Sequence, residues 1–358
     1  MTQGLVLEGV GKCYGTVEVL KPLDLEVGPN EFLTILGPSG SGKTTILRLV
    51  GGFTEPSAGR ISLGGQDITT LPINRRPCHT VFQDYALFPH MTVAENVGYG
   101  LLVRGTRKAD ARPRIEQVLE VVGLGQLASR YPAQLSGGQR QRTALARAIV
   151  LEPKLVLLDE PLGALDAELR RQMQGFLKAL QRRIKTAFLF VTHDQEEAIT
   201  MSDRIVVMRL GAIEQVGTPQ EIYWRPRTAF VAGFFGDNNL IEVQAERGAN
   251  GMARIAGPLG TMNVPATPGT RGRCLLALRP ESLTLLDGEP EGDVRVIVGE
   301  AADLVFTGGT SRLMVKVPAL PDQPLRVQLT SRPGGDAPAP GSPVRIAFRP
   351  REAAVVPA

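Results

Sequence analysis

The 358-residue chain is poor in cysteine, histidine and aromatic residues, with three cysteines, three histidines, one tryptophan and 5% aromatics in all. Cys13, Cys78 and Cys274 are odd in number and far apart, which excludes a disulfide framework and the spacing of a zinc site; a reducing compartment is the expected home. No apolar run is long enough to span a bilayer, which takes about 18 residues. The opening MTQGLVLEGVGKCYG lacks the basic segment and apolar stretch of a signal peptide, so a chain that is neither inserted nor exported by itself is expected. Charge of one sign is also scarce, with 40 basic residues against 36 acidic ones. Of the 40, 32 are arginine, a bias of composition rather than a stripe of phosphate contacts, and no nucleic-acid partner is expected.

What is present is alternation. Short apolar runs at Phe32 to Leu36, Leu155 to Leu158, Phe188 to Val191 and Ile205 to Met208 have the length and composition of strands buried on both faces of a mainly parallel sheet. Between them, Ile115, Val118, Leu119 and Val122 recur at helical spacing, as do Leu169, Met173, Phe176, Leu177, Leu180 and Ile184. The expected fold class is α/β over residues 1–236, with a helical subdomain at about 85–150. Beyond Gly236 the texture changes. Fourteen of the 27 prolines fall there, between β-prone pieces such as Arg295 to Val298, Leu313 to Val317 and Val344 to Phe348, so a small all-β domain is expected over 237–358. Ser331 to Pro343, rich in Pro, Gly and Ala, reads as a loop.

One motif carries clear chemistry. Gly37-Pro38-Ser39-Gly40-Ser41-Gly42-Lys43-Thr44 follows the strand Phe32 to Leu36 and opens the helical stretch beginning at Thr45, the context a phosphate loop requires. Glycines let the backbone approach phosphate oxygens, and the helix N-terminus adds partial positive charge. Lys43 is expected to reach the β and γ phosphates, and Thr44 to offer a hydroxyl to Mg²⁺. Asp159 and Glu160 end the strand begun by Leu155, which suits Asp159 as the magnesium-side carboxylate and Glu160 as a general base for the attacking water.

Between these elements Leu135-Ser136-Gly137-Gly138-Gln139 precedes the run RQRTALARAIV. With this pentapeptide the chain resembles the ATP-binding subunit of ABC transporters. The resemblance implies a P-loop cassette binding ATP and Mg²⁺, in which Ser136, Gly137, Gly138 and Gln139 meet the γ-phosphate held by the opposite subunit. It also implies that Tyr14 stacks on adenine, where otherwise it would be ordinary packing; that Gln83 senses magnesium and the attacking water; that Tyr85 to Pro89 meets the membrane subunits; that Asp166 lies in the loop crossing to the partner; and that His193 holds the γ-phosphate and Glu160 in register. His79 and His90 have no such match and read as ordinary surface or loop histidines. Gly163 departs from the serine common in this class.

LLALRPESL at Leu275 to Leu283 and the segment Gly299 to Val317 look like the oligonucleotide-binding-like (OB-like, TOBE) accessory domain of importer subunits. A fold resemblance does not fix the ligand. The implied assembly is a homodimer on two transmembrane permease subunits, at the cytoplasmic face of the bacterial inner membrane, with an external solute-binding protein delivering the solute. The run HTVFQDYALFPHMTVAENV is most similar to polyamine importer subunits, with iron(III), aminoethylphosphonate and sugar importers close. A soluble ABC ATPase of translation or repair is the reading from a different class; such chains usually carry tandem cassettes or a long coiled-coil insertion.

Overall fold

The computed structural model describes residues 4–163, 165–248, 251–267, 269–331 and 338–358. Contacts divide the chain into two compact units, Met1–Pro219 and Gln220–Ala358.

The first unit is built on a six-stranded sheet in the order Ala212–Gly217, Arg204–Arg209, Phe32–Leu36, Ala187–Thr192, Leu155–Asp159, Cys78–Val81. The last five run parallel, and only Ala212–Gly217 is antiparallel to its neighbour. Every residue of Phe32–Leu36 and Ala187–Thr192 is buried, as expected for strands covered on both faces. Phe32 packs against Phe188 and Phe190 at ring separations of 5.6 and 5.9 Å. All three rings are fully buried, each worth roughly 1.5–3 kcal/mol of transfer from water. A four-stranded antiparallel sheet, ordered Val17–Val27, Leu5–Tyr14, Ala58–Leu63, Gln66–Asp67, shares a core with helix Lys43–Gly51.

Helices Val93–Val103, Lys108–Val121 and Gly137–Ile149 contribute to a second core, which also takes the stripe Met173, Leu177 and Leu180 of helix Ala167–Ile184. Thr92 starts the first of these helices with a reciprocal capping box to Glu95. Asn96, fully buried, accepts from Phe88 N at 2.9 Å and donates to the carbonyls of Phe88, Met91 and Thr92, so one side chain holds the loop before this helix. Arg147 steadies the same loop from the helix Gly137–Ile149, donating to Ala86 O at 2.6 Å and Tyr85 O at 2.9 Å. Those two acceptors, Tyr85 and Ala86, have positive φ values of 63° and 44°, which costs backbone energy and needs such outside support.

His79 differs from the surface or loop position expected of it. It lies half-buried in strand Cys78–Val81, with Arg104 Nη2 at 3.4 Å. Burial, reinforced by that guanidinium, pushes its pKa down to about 4.

The second unit holds two five-stranded sheets. One runs Gly260–Pro265, Met252–Gly257, Asn239–Arg247, Gly272–Leu278, Ala354–Pro357; the other runs Thr284–Leu285, Pro343–Phe348, Arg295–Phe306, Thr310–Val317, Leu320–Thr330. All these named strands pair antiparallel around one apolar core that includes Ile241, Leu276, Leu313 and Ile346. Of the expected loop Ser331 to Pro343, positions 332–337 lie outside the described residues.

The change of sequence texture near Gly236 and the division of contacts at Pro219 do not coincide. Helices Pro219–Trp224 and Ala229–Phe234 lie between them, and residues of both are tied to the β sheets. Buried Arg279 donates to the carbonyls of Tyr223 and Phe235, with its guanidinium 3.7 Å from the centre of the Tyr223 ring, while Ala232 packs with Ala277 and Val356. Two truncations separate the possible end points. A chain ending at Pro219 is expected to be monodisperse with a single melting transition. One ending at Gly236 keeps these helices without Arg279, Ala277 and Val356, and is expected to bind more of a hydrophobic dye such as ANS. Equal dye binding by the two fragments would place the boundary at Gly236.

Candidate active site

Parallel pairing without a slip assembles the site. Leu36 pairs with Thr192, Asp159 with Val191 and Val81 with Leu158. The chain therefore leaves neighbouring strands at the same edge, the carboxyl edge where open α/β sheets bind ligands. Gly37, His193, Glu160 and Gln83 all follow within two residues of a strand end there.

The loop Gly37–Gly42 turns into helix Lys43–Gly51 through Gly40 at φ 76° and Gly42 at φ 99°. Gly37 is required for another reason, since a Cβ there would lie 2.4 Å from Met208 O. Lys43 is buried, and its ammonium donates to Gly37 O at 2.8 Å and Pro38 O at 2.9 Å. Burial lowers its pKa, while Glu160 and Asp159 oppose that shift. Thr44, one residue on, brings Oγ1 to 3.5 Å from Asp159 Oδ1. Thr45 is half-buried in the same helix.

Asp159 ends its strand, and its pKa is raised by burial first and by Glu160 second, against the pull of Thr44, Arg48 and Lys43. Glu160 stands in a left-handed conformation at φ 44°, its N–H bonded to Val191 O at 3.0 Å and its Oε2 3.0 Å from His193 Nδ1. Gln83 reaches across: its Nε2 lies 3.6 Å from where a Cβ on Gly163 would stand. That separation is ordinary contact, so a Cβ would fit at Gly163.

Tyr14, 47% exposed with Lys12 Nζ 4.9 Å from its ring centre, lines an open cavity of about 450 Å³ that reaches Asp159. Reasoning from sequence missed the rest of its wall: Phe53 and Phe82, in edge-to-face contact at 5.5 Å, together with Leu47, Arg48, Thr54 and Thr80. Phe82 directly precedes Gln83, but Phe53 follows a helix end with no local pattern to mark it.

A second group gathers elsewhere. Ser136 caps helix Gly137–Ile149, accepting from Gln139 N at 3.3 Å while Gln139 Oε1 accepts from Ser136 N at 3.0 Å. Asp166 caps helix Ala167–Ile184 through Leu169 N at 2.9 Å. The two helix starts lie against each other: a Cβ on Gly138 would meet Leu169 at 2.9 Å, and one on Gly137 would meet Leu165 at 3.4 Å. Among the described residues, no hydrogen bond or ion pair joins Ser136, Gln139 or Asp166 to the phosphate loop or the acidic pair.

This arrangement matches known proteins. Residues 20–163 match the ABC transporter family and residues 276–356 the TOBE domain family. The spermidine/putrescine import ATP-binding protein PotA of Thermobifida fusca is 44% identical over 98% of this chain and 93% of its own. The chain belongs to the ATP-binding subunits of ABC transporters. PotA of Salmonella typhimurium is 47% identical over 87% of this chain and 84% of its own. Among solved structures, the ABC cassette MJ0796, described as a dimeric post-hydrolysis state bound to ADP and Pi, is 30% identical with a TM-score of 0.52, covering 60% of this chain and 98% of that one. The ABC protein cbiO1 of Clostridium perfringens, part of the complex cbiONQ, is 28% identical with a TM-score of 0.57, over 62% of this chain and 91% of that one. As an ABC cassette with a C-terminal TOBE domain, the chain is an ATPase, and among the described residues no helix is long and apolar enough to cross a membrane.

The residues fit ATP with Mg²⁺. Helices Val93–Val103, Gly137–Ile149 and Ala167–Ile184 each spend a side chain on their own first turn, whereas Lys43–Gly51 has no side-chain cap and keeps its first N–H groups for an anion. Thr44 Oγ1 and Asp159 Oδ1, 3.5 Å apart, offer the hydroxyl and carboxylate oxygens that a hard cation such as Mg²⁺ takes.

The sign of the Asp159 shift makes a prediction. Its folded pKa is raised above 3.8, so its contribution to stability is greatest below that pH and is lost as pH rises through the folded value. Asp159→Asn, without nucleotide or metal, is expected to melt above the wild type at pH 7, with the gap closing toward pH 4. A melting point at or below the wild type at pH 7 would show that burial of this carboxylate costs the fold nothing.

Proposed function

We propose that the chain is the ATP-hydrolysing subunit of a polyamine importer, working as a homodimer on two permease subunits at the cytoplasmic face of the inner membrane, with an external binding protein supplying the solute. The observation that carries the solute is the 44–48% identity to PotA proteins over 87–98% of this chain. Iron(III), aminoethylphosphonate and sugar import are alternatives that the cassette alone does not separate, because the solute is selected by other chains.

ATP would bring the γ-phosphate to be cleaved, and Mg²⁺, held by Thr44, Gln83 and Asp159, would supply positive charge to offset the charge of the phosphates. The chain does the rest. Two of the three Lys43 protons are already given to Gly37 O and Pro38 O, which aims the ammonium and leaves the third for phosphate. Thr44 and Asp159 would hold the metal side, joined by Gln83 from just beyond the neighbouring strand Cys78–Val81. Glu160 accepts the proton of the attacking water, with His193 Nδ1 fixing the carboxylate's orientation. Tyr14 supplies a face for adenine at the mouth of the cavity.

Ser136 to Gln139 and Asp166 serve the partner's nucleotide. Their separation from the phosphate loop of their own chain supports this assignment, as does the chemistry of Ser136: a hydroxyl that accepts from Gln139 N still has a proton to donate to a phosphate oxygen.

Glu160→Gln replaces the proton acceptor with a neutral isostere. Turnover is expected to fall by about 10² to 10⁴, the usual worth of general-base assistance, with ATP binding retained. With ATP and Mg²⁺ this variant should accumulate as a closed dimer on size-exclusion chromatography. Adding Ser136→Arg should abolish that dimer; a double variant that still closes, or a Glu160→Gln variant with wild-type turnover, overturns the composite site. For the solute, the complex reconstituted with its permeases and binding protein is expected to hydrolyse ATP faster with spermidine or putrescine. Stimulation by iron(III), aminoethylphosphonate or a sugar instead would reassign it.

A further inference from the structure

Arg76 is among the most deeply buried charges in the chain, 2% exposed, in a segment to which neither the motifs nor the family resemblance gives a role. Its guanidinium makes four hydrogen bonds to four carbonyls. Nη1 donates to Leu49 O at 2.7 Å and Val50 O at 2.8 Å, Nε to Leu71 O at 2.8 Å and Nη2 to Thr69 O at 3.0 Å. The first two acceptors lie in the last turn of helix Lys43–Gly51, where the helix dipole favours a cation; Leu49 O also accepts the Gly52 N–H at 3.3 Å. Space for the fork is made by Gly52, at φ 82°, where a Cβ would stand 2.5 Å from Arg76 Nε. The same helix end receives Cys78 Sγ, 3.6 Å from Val50 O, and burial raises that thiol to a pKa of about 11, leaving it a neutral donor.

The direction of the chain gives this clamp its meaning. At one end, the clamped helix begins with Lys43 and Thr44. From Arg76 the chain passes through Pro77 into strand Cys78–Val81, which leads straight to Phe82 and Gln83. The clamp thus joins the far end of the phosphate-loop helix to the near end of the strand that delivers Gln83. We infer that Arg76 is a positioning residue for ATP hydrolysis, acting through Gln83 by locking the Cys78–Val81 strand to the helix Lys43–Gly51. Only a planar fork serves four carbonyls at once; a lysine ammonium has three protons and one centre. The inference rests on the reading of Gln83 given above.

Purified full-length Arg76→Met, Arg76→Lys, Gln83→Ala and the double variant Arg76→Met/Gln83→Ala test it, compared by melting curve, binding of a fluorescent ATP analogue, kcat and KM. Misplacement of a reacting group by about an ångström costs on the order of a hundredfold. Arg76→Met is therefore expected to lose about tenfold to a hundredfold in kcat, with analogue binding within about threefold of the wild type. Arg76→Lys should recover part of that loss. The decisive reading is the double variant: if Arg76 acts through Gln83, its kcat equals that of Gln83→Ala alone, whereas a general loss of stability would multiply the two losses. Multiplied losses, unchanged kcat in Arg76→Met, or equal losses of binding and turnover would each overturn the inference. Should Arg76→Met fail to fold, Arg76→Lys with and without Gln83→Ala decides by the same comparison. Wild-type kcat in Gln83→Ala would instead sink the reading of Gln83 itself, a result distinguishable from the failure of the clamp.

Discussion

Unslipped parallel pairing of four adjacent strands is the constraint on which the rest depends. Each β pairing from Phe32 to Val81 keeps one residue opposite one residue. A slip of a single position would send side chains to the opposite face and displace the residues leaving the strand ends. The phosphate loop, Glu160, His193 and Gln83 belong to separate stretches of sequence and meet only because four strands stop at one edge. The rings of Phe32, Phe188 and Phe190 hold that register from within, for a shift would break contacts that each ring makes fully buried.

Buried cations form the second theme. Lys43, Arg76 and Arg279, and with them the half-buried Arg147, each donate to main-chain carbonyls, and none of the four has a carboxylate within ion-pair distance among the described residues. Carbonyls do not titrate, so these links hold across a wide range of pH. The three arginines also tie together remote or irregular segments: Arg76 a helix end to a turn, Arg147 the helix Gly137–Ile149 to the Tyr85 loop, and Arg279 the end of a β strand to a short helix. An unpaired buried charge costs several kcal/mol, and here multiple directed hydrogen bonds offset that cost.

Much of this was legible in the sequence, for reasons that differ by element. The strands at Phe32 to Leu36 and Phe188 to Val191 announce themselves because burial on both faces demands unbroken apolar runs. The phosphate loop is legible because its glycines are forced by φ and by the closeness of Met208 O. Asp166 and Ser136 were found through family resemblance, yet their local work as helix caps follows from ordinary N-cap chemistry. Arg76 and Arg147 were not legible, since an arginine that folds inward onto carbonyls looks, in sequence, like one that faces water. Phe53 and Phe82 escaped for the opposite reason, as exposed aromatics with no periodic partner. His79 was misplaced because a four-residue strand is too short to show alternation.

The left-handed backbone at Glu160 has a consequence for how such a chain drifts over generations. A side chain in that conformation costs about 1–2 kcal/mol relative to glycine, so the position offers a standing reward in backbone stability to glycine, while every other replacement keeps the strain. Replacement of Glu160 by glycine is therefore downhill for the backbone. A library screened for thermal stability alone would be expected to enrich glycine at this position early.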